Sequence, residues 1–174
     1  MVFAVATFVA VIAGVLVVAS RRPDDFRVER SISIASPPEG IAAHIDDFRR
    51  WTGWSPWEGL DPAMKRTYEG AEKGVGAVYA WEGNGKVGAG RMEVLASTPS
   101  AVRIQLDFLR PFEAHNQAEF GLEPGSSGTK VTWAMTGKSA FPAKVMGLFL
   151  DMDEMIGKDF AMGLANLKDL VEKG

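Results

Sequence analysis

Few side chains in this sequence could carry out nucleophilic or metal-dependent chemistry. The chain has two histidines, His44 and His115, and no cysteine. Without cysteine there can be no disulfides, no thiolate catalysis and no cysteine-based zinc site. Two histidines are too few for a multi-histidine metal centre. We therefore expect no metal site and no cofactor.

The positions of the two histidines also argue against catalysis. His44 falls on a short predicted helix beside apolar Ile45, and His115 has the outward parity of its predicted strand. A serine nucleophile would need a histidine base and an acid that orients it, and no local motif combines these residue types. The sequence therefore predicts no catalytic residue.

Two polar residues share the inward parity of apolar strand neighbours. Asn116 lies on the inward face of the strand predicted over residues 114–122, where a buried amide must either tie down backbone or meet a polar group of a ligand. Arg30 shares parity with Val28 in the first strand, and it either extends to solvent or pairs with an acid at the rim. Any catalysis at this inward face would depend on Asn116 or Arg30.

Nucleotide and nucleic-acid binding are not expected. Residues 83–88 fit G-x-G-x-x-G, but a dinucleotide site needs that pattern to open a helix, and here A-G-R-M-E-V-L-A-S follows with the alternation of a strand. The net charge is -3, and the basic residues are scattered rather than clustered. We therefore do not expect the protein to bind nucleic acid.

Three tryptophans stand close together in W-T-G-W-S-P-W-E-G-L-D-P, which begins at Trp51. This stretch is too rich in glycine and proline to predict a regular helix or strand. Three explanations compete for the three indoles: a core beneath the loop, the rim of an apolar ligand pocket, or contact with a membrane interface. We expect Trp54 and Trp57 to lie near the mouth of a pocket.

The first 20 residues carry no charge and are followed by Arg21 and Arg22. An apolar run of about 20 residues is long enough for a helix to cross a bilayer. The sequence therefore predicts a single-pass transmembrane anchor over residues 1–20, with an uncleaved signal sequence as the alternative, and a short linker over 21–25. The two arginines favour a cytoplasmic position for the domain that follows.

Residues 26–174 predict one α+β domain. A strand over 26–34 and a short helix precede the tryptophan loop, and alternating strands are predicted over 64–68, 77–82, 86–97, 101–108, 114–122 and 130–136. Asn84-Gly85 indicates a tight two-residue hairpin, and the short turns predict an antiparallel meander. A helix is predicted over 143–172, because apolar residues recur there at helical spacing: Val145, Phe149, Met152, Ile156, Phe160, Leu164, Leu167 and Val171.

The order of these elements resembles the SRPBCC superfamily of START-like proteins, and most closely its polyketide cyclase/dehydrase-like members. The resemblance is carried by E-R-S-I-S-I-A-S-P-P-E, by W-T-G-W-S-P-W-E-G-L-D-P-A-M, by G-T-K-V-T-W-A-M and by the closing G-L-A-N-L-K. It implies a helix-grip fold, in which a curved antiparallel sheet wraps around a long C-terminal helix and leaves a deep apolar cavity. Relatives bind lipids, sterols or polyketides, and only some of them are enzymes.

These observations lead to three functional hypotheses. The first is a membrane-tethered domain that binds a hydrophobic small molecule or lipid between the sheet and the C-terminal helix. The second is a cyclase- or dehydratase-type enzyme, and the third is a protein-interaction module with a filled core. The sequence leaves the oligomeric state open. The expected ligand-binding residues are Trp54, Trp57, Tyr79, Trp81, Asn116, Trp133, Met135 and Phe149.

Overall fold

The computed structural model describes residues 12–173 of the chain. Residues 12–20 are helical and form α1. The strands are β1 (Asp25–Ile34), β2 (Lys65–Gly70), β3 (Ala77–Glu82), β4 (Ala89–Thr98), β5 (Ala101–Arg110), β6 (Ala114–Gly125) and β7 (Gly128–Lys138). The remaining helices are α2 (Pro38–Ile45), a 3₁₀ helix (Phe48–Gly53), α3 (Phe141–Met146) and α4 (Met152–Lys173).

The strands form one antiparallel sheet in the order β1-β7-β6-β5-β4-β3-β2. Strands β2 to β7 are neighbours in sequence and in space, while β1 closes the order by pairing with β7, for example Val28 opposite Met135. Strand β4 contains two register shifts against β5, which bend the sheet. The predicted antiparallel meander is confirmed.

One face of the sheet is apolar and packs against α4, as the helix-grip prediction requires. Strand residues of one parity are buried in every central strand, including Ile104 in β5 and Phe120 in β6. Helix α4 buries Phe160, Leu164 and Leu167 on its sheet-facing side. The hydrophobic core therefore lies in the concave space between the sheet and α4.

The prediction that the chain is anchored in a membrane is contradicted by the helices that the structure describes. Within residues 12–173, no helix has both the length and the apolar character that a membrane crossing requires. The expected transmembrane anchor, with its cytoplasmic orientation, is therefore not retained. The first eleven residues of that predicted anchor lie outside the described residues.

The predicted C-terminal helix is divided into two. Helix α3 ends at Met146, and α4 begins only at Met152. The Asp151 carboxylate accepts a hydrogen bond from the backbone N–H of Glu154 at 3.0 Å, which caps a new helix start. Apolar spacing continues across this break and conceals it in the sequence. As a result, Phe149 lies in the connection between the two helices.

The connection between β3 and β4 is longer than the predicted two-residue hairpin. The last pair in the ladder is Glu82 opposite Ala89, which leaves residues 83–88 as the loop. Asp61 accepts a hydrogen bond from the backbone N–H of Asn84 at 2.8 Å and so fixes this loop from outside the hairpin. Strand β4 follows the loop directly, which confirms that its glycines do not open a nucleotide-binding helix.

Candidate functional site

The concave space beside the middle of α4 is filled by aromatic side chains. The Trp133 ring lies between Phe160, at 4.2 Å and nearly parallel, and Phe120, at 4.8 Å between centroids. Trp54 packs edge-on against Trp133 at 5.6 Å. The Trp133 indole N–H has no partner among the described residues, but the stacked rings enclose it. This part of the expected deep cavity is therefore occupied by the chain itself.

The tryptophan loop belongs to this core. Trp51 and Trp54 are 3% and 1% exposed. Their indole N–H groups donate to the carbonyl oxygens of Ile45, at 2.8 Å, and His44, at 3.1 Å, at the end of α2. Trp57 is half-buried and packs edge-on against Trp133 and Phe160. Of the three explanations for the indoles, the core is the one observed, and Trp54 does not lie at an opening.

Tyr79 and Trp81 occupy the other side of the concave face. There, a buried carboxylate accepts a hydrogen bond from the Tyr79 hydroxyl. Glu58 accepts hydrogen bonds from the Tyr79 hydroxyl at 2.6 Å and from Arg66 Nε at 2.7 Å, and its side chain is 7% exposed. Burial, together with the bond to Glu58, raises the pKa of Tyr79. The Trp81 indole donates to the carbonyl of Val87 at 3.0 Å.

Sequence reasoning missed Glu58 and Arg66. Glu58 comes from an irregular loop, whose side-chain directions no strand or helix period can predict. Arg66 does lie in β2, but its partner is eight residues away and across the loop. One feature of the sequence could have indicated Glu58. If Trp57 is buried, the carboxylate next to it in the loop is also drawn out of water and needs a partner.

Asn116 reaches the apolar face of the sheet, as its parity predicts. It is 5% exposed, and its side-chain oxygen Oδ1 has no hydrogen-bond partner among the described residues. Its amide nitrogen has only the sulfur of Met135, at 3.9 Å, which is a weak acceptor. Oδ1 lies above Gly137, where a side chain would collide with it. Asn116 Oδ1 is therefore a buried acceptor that receives no hydrogen bond from the described part of the chain.

A groove of about 530 Å³ opens to solvent on the other side of Phe26, and Asn116 is not part of its lining. Phe26 of β1 forms one side, and the segment from Leu148 to Met152 forms the other. Phe149 lines this groove and is 73% exposed. The ring of Phe26 also approaches the space above Gly137, so it lies beside Asn116 Oδ1.

Arg30 pairs with an acid, which is one of the two alternatives that the sequence left open. Its guanidinium bonds the Asp153 carboxylate at 2.9 Å and the Asp153 carbonyl at 3.0 Å. The guanidinium lies where a side chain on Gly157 would project, so the glycine allows α4 to approach β1 closely. Hydrogen bonding from Arg30 lowers the pKa of Asp153. Arg30 therefore joins the start of α4 to the first strand.

The opposite face of the sheet is polar. A hollow of about 620 Å³ there is lined by Gln105 and Gln117, and it also reaches Phe26 and Asn116. His115 lies on this face and contacts Asp107 at 2.8 Å, and the hydrogen bond to Asp107 raises the pKa of His115. Both side chains are part of a surface of mutually paired charges. His115 is thus remote from the apolar face, as its outward parity predicts.

The predicted site residues are divided among three places. Trp54, Trp57 and Trp133 lie in the aromatic cluster. Tyr79 and Trp81 stack on each other at 6.0 Å beside Glu58. Asn116 and Met135 contact each other on the inner side of the sheet, and Phe149 lines the groove. No cluster of possible metal ligands occurs within residues 12–173.

Comparison with protein families identifies the chain. Residues 25–172 match the profile of the family described as polyketide cyclase / dehydrase and lipid transport. The chain belongs to this family. The SRPBCC resemblance of the sequence is confirmed by the match and by the fold. A comparison with curated proteins gave no match.

Solved structures share the fold of this polyketide cyclase/dehydrase family member at low identity. The Aha1 dimer protein from Colwellia psychrerythraea has a TM-score of 0.60 and 19% identity, over 84% of this chain and 96% of that one. Protein CV1439 from Chromobacterium violaceum has a TM-score of 0.58 and 17% identity, over 87% and 99%. The di-domain ARO/CYC protein StfQ, from the steffimycin biosynthetic pathway, has a TM-score of 0.66 and 10% identity, over 88% and 53%.

Proposed function

We propose that this chain binds a hydrophobic small molecule at the groove between β1 and the segment that joins α3 to α4. One observation carries the proposal: Phe149, Leu150 and Met152 expose large apolar side chains along an open groove of about 530 Å³. Exposed apolar side chains that are grouped in one place commonly mark a binding surface, so their position along one groove favours a role in binding. The family match to a polyketide and lipid group supports the same conclusion.

The shape of the groove is consistent with a ligand of moderate size. Its volume of about 530 Å³ falls in the range of small-molecule sites in proteins. Phe149 and Leu150 expose apolar surface to it, and a ligand would remove that surface from water. Burial of this kind supplies most of the affinity for an apolar molecule.

Two measurements test the proposal. Native mass spectrometry of the full chain, purified from its own host, should show a co-purifying apolar molecule that solvent extraction releases. Titration with the neutral fluorophore N-phenylnaphthylamine should show saturable binding at one site. An empty protein that binds neither this fluorophore nor fatty acids, sterols and polyphenols would refute the proposal.

A pair of phenylalanine variants locates the site. Phe149→Ala should weaken fluorophore binding by about tenfold, because it removes an apolar wall of the groove. Phe112→Ala is the matched control: Phe112 is 74% exposed and does not line the groove. Equal effects of the two substitutions would contradict binding at this groove.

A second function, protein interaction, is favoured by the filled aromatic cluster and by an exposed apolar surface on α3 and the start of α4. That surface comprises Phe141, Met146, Phe149, Leu150, Met152 and Met155. Large exposed apolar surfaces commonly mark contact sites between proteins. Sedimentation velocity of the ligand-free full chain tests self-association there, and Met155→Lys should abolish any association that occurs. A monomer at all concentrations would exclude a second copy as the partner.

A further inference from the structure

Helix α1 has no charged side chain and is exposed on most of its surface. Its sequence over residues 12–20 is I-A-G-V-L-V-V-A-S. Ala19 is fully buried and Val15 is half-buried, so one side of the helix contacts the rest of the chain. The other sides leave four large apolar side chains 43–54% exposed: Ile12, Leu16, Val17 and Val18. A helix that is apolar on all sides is normally buried, so α1 needs a cover that residues 12–173 of one copy do not provide.

An apolar surface on α3 and the start of α4 is uncovered in the same chain. This α3–α4 surface consists of Phe141, Met146, Phe149, Leu150, Met152 and Met155. Part of it lines the groove of about 530 Å³, and none of residues 12–20 does so. Three of its six side chains are methionines, whose flexible thioethers adapt to the shape of a packed partner. One copy therefore has both an uncovered apolar helix and an uncovered apolar surface.

The segment that follows α1 keeps the helix and the α3–α4 surface apart within one copy. The backbone N–H of Arg22 donates to the Ala19 carbonyl oxygen at 3.1 Å, so the helical turn continues to Arg22. Arg22 Nη1 donates to the Gly147 carbonyl oxygen at 2.7 Å. The buried Lys144 ammonium donates to the Arg22 carbonyl oxygen at 3.0 Å and also bonds the Asp24 carboxylate. Helix α1 cannot turn onto the surface of its own chain unless these bonds break.

The charges beside the helix and the surface are complementary. Arg21 directly follows α1, and Asp151 lies between α3 and α4. Both side chains are exposed, and neither forms an ion pair within residues 12–173. Packing of α1 on the α3–α4 surface of a second copy brings an unpaired cation to a surface that carries an unpaired acid, and such complementarity favours association.

We infer that the partner at this surface is a second copy of the chain, and that α1 of each copy packs on the α3–α4 surface of the other. This inference rests on the protein-interaction function proposed above and names its partner. Exchange of this kind follows a two-fold axis and uses each surface twice. Ten large apolar side chains from each copy enter the interface, which suits the roughly 1,200–2,000 Å² that specific interfaces bury.

Sedimentation velocity of the full chain tests the inference with one lysine in α1. Leu16→Lys places a charge in the interface and should raise the concentration at which half of the chains are dimeric by at least about tenfold. Leu95→Lys is the matched control, because Leu95 is 45% exposed, as against 43% for Leu16. It lies on β4, which three strands separate from β1. This control should form the dimer at the same concentration as the native chain.

Cross-linking identifies which surfaces meet, because the chain has no cysteine of its own. A Leu16→Cys chain that carries a tag of distinct mass is mixed with an untagged Met155→Cys chain. A short bismaleimide should then join the tagged chain to the untagged one. A tagged Leu95→Cys chain mixed with Met155→Cys is the control and should not be joined.

The possible results separate this inference from the proposed ligand site. A native chain that remains monomeric, or a dimer that Leu16→Lys leaves unchanged, would overturn the exchange. A double variant, Leu16→Cys with Met155→Cys, that cross-links only within one chain would overturn it too, because α1 would then cover its own surface. Monomers that bind phosphatidylcholine vesicles through α1 would make a lipid surface its cover and would likewise overturn the exchange. Neither Leu16 nor Met155 lines the groove, so titration of Leu16→Lys with N-phenylnaphthylamine tests the ligand site independently.

Discussion

Replacing Asn116 by leucine should make the protein more stable. In the native chain, burial of the amide costs about 1–3 kcal/mol, because within residues 12–173 Oδ1 has no partner and the nitrogen has only a distant sulfur. Leucine removes this cost. Leucine branches at the same carbon as asparagine, so its two methyl groups would take the places of Oδ1 and Nδ2 above Gly137. We expect a gain of about 2 kcal/mol in the free energy of unfolding.

Thermal and denaturant unfolding measure this gain. For a chain of this length, about 2 kcal/mol corresponds to a rise of roughly 4–8 °C in Tm. Asn116→Val removes the amide with a smaller change in volume and should also be stabilising. Asn116→Asp should be destabilising, because burial raises the pKa of an unpaired carboxyl; the native state then binds more protons than the unfolded state, and stability falls as pH rises.

The reasoning would be refuted by a loss of stability in both Asn116→Leu and Asn116→Val. Such a result would show that the amide is already satisfied in solution, for example by an ordered water, and contributes to the native state. A loss in the leucine variant alone would instead identify overpacking, which typically costs about 1–3 kcal/mol. The paired variants therefore separate polarity from volume.

Three further predictions concern the contacts that surround the groove and the core. Trp54→Phe should lower the free energy of unfolding by about 1–3 kcal/mol in denaturant titrations, since the α2 carbonyl loses its buried donor; unchanged stability would contradict this. Arg30→Leu should raise the pKa of Asp153 towards the ordinary aspartate value in an NMR carboxyl titration. The stabilisation from this ion pair is present above the ordinary aspartate pKa and is lost as pH falls through the lowered one. Glu58→Gln should bring the pKa of Tyr79 down in a spectrophotometric titration, because a charged acceptor becomes neutral, and an unaltered titration would exclude the charge as a cause.

Sequence reasoning predicted the strands and the inward position of Asn116 because both depend on a local period of two. It misjudged the C-terminal helix, since apolar spacing runs on through Phe149 while Asp151 caps a new helix. It also left the tryptophans undecided. An indole side chain favours burial, but a loop has no regular period from which its direction, and so its place of burial, could be predicted.

The sequence by itself determined the α+β class, the antiparallel order and the family, because these follow from periodicity, turn residues and the order of motifs. Tertiary structure decided which residues meet. Glu58 and Tyr79 are 21 residues apart, and Arg30 and Asp153 are 123 apart. Contacts across such separations depend on the curvature of the sheet and the placement of α4. For the same reason, only the folded chain shows that aromatic rings fill one part of the concave space, while Phe149 lines an open groove.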